Sequence, residues 1–173
     1  MSSSTNDTAL QIYTTGLRNQ HAVENQAIEL LFRQVDRLEN YPEMEARMRQ
    51  HIQESQAQAH RLEELLASLD TSHSFLKDAA LSLAGNMAAM MHTVAPDEVV
   101  KNSFANYAFE HFEIASYKSL LVLADAVGRG SDQSALQQSL GEEEEMAKWI
   151  DSHLADTTRR FLQRSAAGVK AGV

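Results

Sequence analysis

Apolar residues recur at steps of three and four along four segments of the chain, the spacing of an α-helix with one buried face. It predicts helices over residues 8–39, 42–69, 97–127 and 132–164. In chain order, the predicted apolar faces consist of Leu10, Tyr13, Leu17, Ile28, Leu31, Val35 and Leu38; Met44, Met48, Ile52, Ala59, Leu62, Leu66 and Leu69; Val100, Phe104, Tyr107, Ile114, Tyr117, Leu121 and Ala124; and Leu136, Leu140, Ala147, Ile150, Leu154 and Phe161.

The joins between these helices predict how they are arranged. Pro42 suits the first turn of the second helix, Gly128 the end of the third, and Ser131 the N-cap of the fourth. The first and last joins are short, which predicts two antiparallel helical hairpins. The long connection over residues 70–96 has its own apolar residues, and we expect a shorter helix within 73–93. Two hairpins joined by one long crossover predict an all-α, ferritin-like four-helix bundle.

Length and composition agree with a single domain over residues 1–173, with residues 1–7 and 165–173 expected to form flexible tails. The chain has two prolines, seven glycines and no cysteine. The lack of cysteine excludes disulfides, zinc–thiolate sites, iron–sulfur clusters and thiol nucleophiles. The net charge of −9 argues against nucleic acid as a partner. No signal peptide or membrane-spanning stretch is visible in this sequence, so the expected location is the cytoplasm.

Three of the apolar faces are interrupted by a glutamate. Glu24, Glu110 and Glu143 continue the helical spacing of their stripes and should therefore point into the core. A lone ionised carboxylate in a core costs several kcal/mol unless something compensates it. Several such groups at one level of a bundle would also repel each other, and a bound metal ion is a common compensation.

All four helices place a candidate ligand near their midpoints. Glu54 and Glu113 lie within about a turn and a half of the centres of the second and third helices, as Glu24, Glu110 and Glu143 do on theirs. Dinuclear sites in bundles typically use two single glutamates and two Glu-x-x-His motifs. Neither histidine of that pattern is present after Glu54 or Glu143. The sixth ligand is therefore His51 or Gln58, which lie one turn either side of Glu54 on the same helix face, or His21, one turn before Glu24.

These segments resemble the YciE/YciF family of ferritin-like bacterial stress proteins over about residues 8–160. The matching runs are Val-Glu-Asn-Gln at 23–26, His-Ile-Gln-Glu-Ser at 51–55, Glu-His-Phe-Glu-Ile-Ala-Ser-Tyr at 110–117 and Leu-Gly-Glu-Glu-Glu at 140–144. The resemblance implies a ferritin-like bundle, a homodimer, a dimetal site and a role in the stress response. The family also has Gln rather than His after the glutamate of the second helix.

The leading hypothesis is a protein that binds two metal ions per chain, iron before manganese, and that reacts with dioxygen or peroxide as an oxidase or peroxidase. Carboxylates with one His or Gln suit either metal. The alternative is a metal-free structural or partner-binding bundle, in which the buried glutamates are protonated or hydrogen-bonded. A third hypothesis is iron storage or DNA protection by a shell-forming assembly; the acidic charge argues against contact with DNA, and we expect a dimer instead of a shell.

Overall fold

The computed structural model describes residues 2–69 and 97–172, with side chains from residue 7 onward. Within these ranges the chain forms four α-helices, which we number α1 (Ser2–Val35), α2 (Pro42–Ala67), α3 (Glu98–Ala126) and α4 (Gln133–Ala166). The all-α, ferritin-like four-helix bundle expected from the sequence is confirmed. The shorter helix predicted within 73–93 lies outside the described residues. No helix in the described ranges meets the length and hydropathy that a membrane span requires.

The helices pack as two hairpins, α1 on α2 and α3 on α4, and α1 also lies along α3. Besides a small group of Val23, Ala27, Leu30 and Phe109 on α1 and α3, two large groups of buried apolar side chains fill the bundle, one toward each end. One group includes Tyr13, Leu62, Tyr117 and Leu136. The other consists of Leu31, Val35, Leu38, Tyr41, Met48, Ile52, Val99, Met146 and Ile150. Burial of these apolar groups provides the main driving force for the fold, and a layer of buried polar residues separates them.

Glycine ends α3 and α4 in the same way. Gly128 and Gly168 have positive φ angles of 74° and 68°, a conformation that glycine adopts without steric cost. After α3 the amide of Gly128 donates to Asp125 O and that of Arg129 donates to Ala124 O. This is a Schellman motif, so Gly128 ends its helix as predicted. Beyond Gly168 the chain turns back toward the α1–α2 join. The flexibility expected of residues 165–173 stays a prediction.

The boundaries of α1 and α4 differ from those predicted. α1 begins at Ser2 because no glycine or proline interrupts the polar residues ahead of its apolar face. It ends at Val35 because the next residues turn more tightly, with Leu38 N donating to Val35 O and Tyr41 N to Leu38 O. Ser131 does not cap α4. It lies in a short 3₁₀ turn, Gly130–Asp132, where its hydroxyl donates to Asp132 Oδ1.

The buried face of α3 is rotated from the one predicted. Phe104 was expected in the core, yet 53% of its surface is exposed. Leu10 of α1, also expected in the core, is 39% exposed. The buried residues of α3 are Glu98, Val99, Ser103, Asn106, Phe109, Glu110, Glu113, Ile114, Tyr117, Leu120 and Ala124. Asn106 and Gln34 of α1 exchange two side-chain hydrogen bonds across the core. This pair accounts for the rotation because it turns a polar row of α3 inward at the position that Phe104 was expected to occupy.

A buried hydrogen-bond network closes one end of the bundle. The Tyr13 hydroxyl donates to Asp132 Oδ2 at 2.8 Å, and Arg129 Nε donates to the same oxygen at 2.9 Å. Arg129 also donates to the hydroxyl of Ser68, just after α2. The network therefore joins α1, the end of α2 and the α3–α4 turn.

We expect Tyr13→Phe to lower the free energy of unfolding by about 1 kcal/mol, the net value of a typical hydrogen bond. The change keeps the ring and removes one donor to Asp132, which Arg129 still pairs. Tyr107→Phe is the matched control, because its hydroxyl makes only an exposed contact of 3.4 Å to Asp151. Urea unfolding of both variants measures the difference; equal midpoints would contradict a stabilising role for the Tyr13 hydroxyl.

Candidate metal centre

The polar layer between the two apolar groups receives ionisable side chains from all four helices. Glu24 lies on α1, His51 on α2, Glu110 and Glu113 on α3, and Glu143 on α4. Each of them is at most 2% exposed. The apolar groups on both sides of the layer shield these side chains from bulk solvent. The sequence thus places four carboxyl groups and one imidazole where ionisation without a partner is costly.

Three of these residues present ligand atoms to a common point. His51, Glu110 and Glu143 each offer one atom, and these atoms lie within 4.8 Å of one another. His51 Nε2 lies 3.1 Å from Glu110 Oε2 and 3.6 Å from Glu143 Oε2. Two carboxylates and one imidazole at these distances could hold a metal ion, and this donor set suits the transition metals.

Glu54 contacts the other side of the His51 ring. Its Oε2 lies 2.9 Å from His51 Nδ1, and the carboxylate also accepts hydrogen bonds from Arg47 at 2.9 Å and Gln50 at 2.7 Å. Partial burial works against ionisation, yet the hydrogen bonds from His51 and Arg47 lower the pKa of Glu54 to about 2. The hydrogen bond from Nδ1 to Glu54 fixes the ring so that Nε2 faces the centre, where a metal would have to displace the Nε2 proton. Glu54, a predicted ligand, therefore reaches the three-residue cluster through His51 in this conformation.

Glu24 and Glu113 form a second half of the layer, held by hydrogen bonds from two buried neighbours. The Gln20 amide donates to Glu24 Oε1 at 2.9 Å and to Glu113 Oε1 at 3.3 Å. The Tyr117 hydroxyl donates to Glu24 Oε1 at 2.6 Å. These hydrogen bonds all go to Oε1 of Glu24 or of Glu113, so the Oε2 atom of each carboxylate keeps its lone pairs free.

A polar network on α2 and α4 fixes Gln58. Its amide donates to Glu142 Oε2 at 3.0 Å, and Arg61 donates both to the same oxygen and to the Ser139 hydroxyl. Gln58 is fully buried, and its carbonyl oxygen is left without a donor among the described residues. The side chain therefore offers a neutral oxygen as a ligand. Both His51 and Gln58 remain candidates for the sixth ligand.

The layer contains more lone pairs than the described part of the chain can satisfy. Buried polar atoms in proteins are nearly always hydrogen-bonded, because leaving one unpaired costs about 1–3 kcal/mol. Seven buried atoms of this layer have no hydrogen-bond partner among the described residues: Gln20 Oε1, Glu24 Oε2, Ser55 Oγ, Gln58 Oε1, Glu113 Oε2 and both carboxylate oxygens of Glu143. Two further atoms, His51 Nε2 and Glu110 Oε2, lie 3.1 Å apart and pair with each other only when the ring is protonated. Most are potential metal ligands, so the donor set fits a bound cation better than a metal-free core.

Burial and mutual repulsion change the pKa values of this layer. Burial raises the pKa of Glu24 to about 7, against the hydrogen bonds from Tyr117 and Gln20. Burial and then the neighbouring carboxylates also raise the pKa of Glu113 and of Glu143 well above the usual range. For His51, burial favours the neutral ring, but Glu110 and Glu54 outweigh it and raise the pKa. Without a metal, the layer therefore retains protons at neutral pH that a cation must displace.

Sequence reasoning missed two contributors to this layer. Gln20 stands three residues after Leu17 and four before Glu24, so it continues the same stripe, but an amide in an apolar stripe carries no charge to draw notice. Glu142 belongs to a run of four glutamates on α4 that would be expected on a solvated face, whereas it pairs with Arg61 beside Gln58. The signal for Glu142 was the placement of Arg61 and Gln58 one turn apart on α2.

These features define a class: ferritin-like bundles whose core carries a buried carboxylate and histidine cluster able to hold a metal. The model of the family described as "Domain of unknown function (DUF892)" matches residues 8–163, and the chain belongs to this family. The kinship with YciE/YciF proteins inferred from the sequence is confirmed.

Two solved structures resemble the whole fold. A protein from Xanthomonas campestris pv. campestris is 30% identical, with a TM-score of 0.77, and the match covers 91% of this chain and 99% of that one. The E. coli stress protein YciF is 19% identical, with a TM-score of 0.71, over 88% of this chain and 98% of that one.

Proposed function

We propose that this chain is a dinuclear metal protein, with iron the preferred metal and manganese the second candidate. The observation that carries the proposal is the convergence, from four helices, of buried ligand atoms that have no partner among the described residues. The layer divides into two halves, His51 with Glu110 and Glu143, and Glu24 with Glu113. Two halves that share one water-excluded core favour two ions per chain over one.

The residues around the layer would prepare it for the metal. Glu54 fixes the His51 ring with Nε2 inward, Gln20 holds Glu24 and Glu113 together, and Tyr117 anchors Glu24. Such outer partners fix ligand orientation and are typically worth about 10–100-fold in metal affinity. Carboxylates with raised pKa values can also hold and return protons during a redox reaction.

The proposed reaction is oxidation of iron(II) by peroxide or dioxygen. With hydrogen peroxide, two iron(II) ions lose one electron each, and the O–O bond takes up both electrons and two protons to give two water molecules. The test is stopped-flow oxidation of iron(II) by each oxidant in the presence of the protein. A rate no faster than iron(II) in buffer alone would leave a metal-binding protein without this activity.

Stress response and dimerisation belong to the same proposal. One solved relative in fold is a stress protein, and we extend that role to this chain by likeness. Dimerisation is supported by an apolar row on the exposed side of α3 formed by Phe104, Ala108, Phe112, Ala115 and Val122. Analytical ultracentrifugation should give twice the chain mass of 19.2 kDa. A monomer would contradict the dimer, and a large shell-like particle would favour the storage hypothesis.

A metal-free structural or partner-binding bundle remains the second candidate function. Glu24 favours it, because hydrogen bonds from Tyr117 and Gln20 already satisfy one of its oxygens and its pKa near 7 allows a neutral carboxyl group. Glu143 argues against it, because neither of its oxygens has a hydrogen-bond partner among the described residues. Thermal melts with and without metal separate the two functions.

The raised pKa values predict opposite pH trends for the metal-free and metal-loaded protein. A carboxyl group whose pKa rises from 4.5 to about 7 on folding stabilises the metal-free fold fully below pH 4.5 and loses this contribution as pH rises through 7. For Glu24 this is worth about 3 kcal/mol. Glu54 has the opposite sign and loses its contribution only below its usual pKa.

We therefore expect the melting temperature of the metal-free protein to fall between pH 5 and pH 8, while metal affinity rises because the ligands must lose protons. Titration calorimetry in two buffers of different ionisation enthalpy should detect proton release on metal binding at pH 7. Glu24→Gln should flatten the melting trend. A metal-free melting temperature that rises steadily from pH 5 to pH 8 would contradict the proposed protonation of the layer.

A further inference from the structure

One cleft in the described part of the chain leads from the surface toward the metal centre. It lies between α2, α3 and α4, and the space in it that water could occupy is about 10 Å³. Its inner wall is formed by Met48, Asn106 and Met146, all buried. Each of these residues stands three or four positions from a member of the cluster formed by His51, Glu110 and Glu143. Residues at that spacing are neighbours on one helix face, about 5 Å apart along the axis.

The coincidence holds on three helices at once. Met48 precedes His51 on α2, Asn106 precedes Glu110 on α3, and Met146 follows Glu143 on α4. Since α4 runs antiparallel to α2 and α3, all three wall residues lie at the same end of the centre. The inner end of the cleft is therefore formed by Met48, Asn106 and Met146, which lie about one helical turn from the candidate ligands.

The outer end of the cleft is open. A second hollow, with about 180 Å³ of space that water could occupy, shares Met44, Trp149, His153 and Thr157 with the first, so the two are adjacent. Its remaining lining comes from Tyr41, Glu43, Asp156 and Arg160. The whole has the shape of a wide mouth that narrows inward, and the inner part leaves room for about one water-sized molecule.

The chemistry of the narrow part decides what it can pass. Its walls combine the thioethers of Met44, Met48 and Met146 with apolar side chains, the Asn106 amide, the Ser103 and Thr157 hydroxyls and the His153 ring, and no carboxylate of the described residues lines it. The Asn106 amide is already engaged with Gln34. A divalent cation would exchange its hydration shell for weak ligands here, which is unfavourable. A small neutral molecule would meet no such barrier.

We propose that this cleft is the path by which a small uncharged oxidant, dioxygen or hydrogen peroxide, reaches the centre, with Met48 and Met146 setting the size limit. The inference rests on the proposed metal function and specifies its substrate class. It assigns roles to residues that would bind no metal themselves. Trp149 and His153, whose ring centroids lie 4.1 Å apart in a stacked pair, line both the narrow part and the mouth.

The first test uses metal-free crystals and does not depend on metal at all. Under oxygen gas pressure, a dioxygen molecule should occupy the cleft against Met48 and Met146, because the narrow part has room for only about one small molecule. The Met48→Phe crystal should lose this site. Absence of dioxygen from the wild-type cleft would overturn the path.

The second test uses metal-loaded protein and compares hydrogen peroxide with the bulkier tert-butyl hydroperoxide by stopped flow. Met48→Phe should slow iron(II) oxidation by hydrogen peroxide or dioxygen on the order of tenfold. Met146→Ala should speed the reaction with tert-butyl hydroperoxide and leave that with hydrogen peroxide nearly unchanged. Leu62→Phe, a similar enlargement on the opposite side of the centre, is the matched control and should alter neither rate. Metal content should be equal in all variants.

The two proposals fail in distinguishable ways. Normal metal content with unchanged oxidation rates in Met48→Phe and Met146→Ala would overturn the path and leave the metal function standing. Slower metal uptake in Met48→Phe, with an unchanged oxidation rate, would overturn the choice of a neutral molecule and assign the cleft to the cation. A wild-type protein that binds no metal would overturn both.

Discussion

Glu110→Ala should remove most of the metal that the wild-type protein binds, lowering its affinity by at least about 100-fold, since outer partners alone are worth about 10–100-fold. Glu110 lies 3.1 Å from His51 Nε2 and belongs to the three-residue cluster with Glu143. Its charge also raises the pKa values of Glu113 and Glu143, so it lies close to both. Removing it would affect both halves of the layer.

Glu145→Ala provides a matched control for this loss. Glu145 lies on α4, two residues from Glu143, but its side chain is exposed, so the variant loses the same net charge without touching the core. Metal content would be measured after gentle desalting, with helicity by circular dichroism to check folding. If Glu110→Ala keeps the wild-type content, or if both variants lose metal equally, the assignment of Glu110 is wrong.

Metal should raise the melting temperature of the protein by roughly 8–16 °C. A ligand present at about a thousand times its dissociation constant stabilises the native state by about 4 kcal/mol for one site, and each kcal/mol shifts the melting temperature of a chain this size by about 2–4 °C. The unpartnered oxygens of Glu143 make the metal-free core unusually unfavourable. Chelator should reverse the shift.

The same melts performed on Glu110→Ala complete the comparison. In that variant metal should have little effect, because the site that the cation stabilises is incomplete. A wild-type melting temperature indifferent to both metal and chelator would favour the metal-free structural bundle over the proposed function.

The helices and the level of the site could be predicted because both follow from local spacing. Helical periodicity placed Glu24, Glu110 and Glu143 inward, and all three are buried. Similar helix lengths aligned their midpoints, so residues far apart in sequence meet in one layer. The joins at Pro42 and Gly128 were predictable for the same reason, since proline and glycine constrain the backbone wherever they occur.

The rotation of each helix and the contacts between helices could not be read from one stripe. Glu113 lies outside the apolar stripe predicted for α3, which Phe104 and Tyr107 help to define, yet Glu113 is fully buried. The pairing of Asn106 with Gln34 decides that rotation, and it requires knowing which residues of α1 and α3 face each other. The double contact of Gln20 with Glu24 and Glu113 is likewise a tertiary feature.

The most direct measurement is anomalous diffraction at the iron absorption edge from crystals of protein produced with iron and purified without chelator. The account predicts two adjacent peaks inside the bundle, one within bonding distance of His51, Glu110 and Glu143 and the other beside Glu24 and Glu113. Crystals with no anomalous peak in this layer, and with Glu24, Glu113 and Glu143 satisfied by ordered water alone, would contradict it.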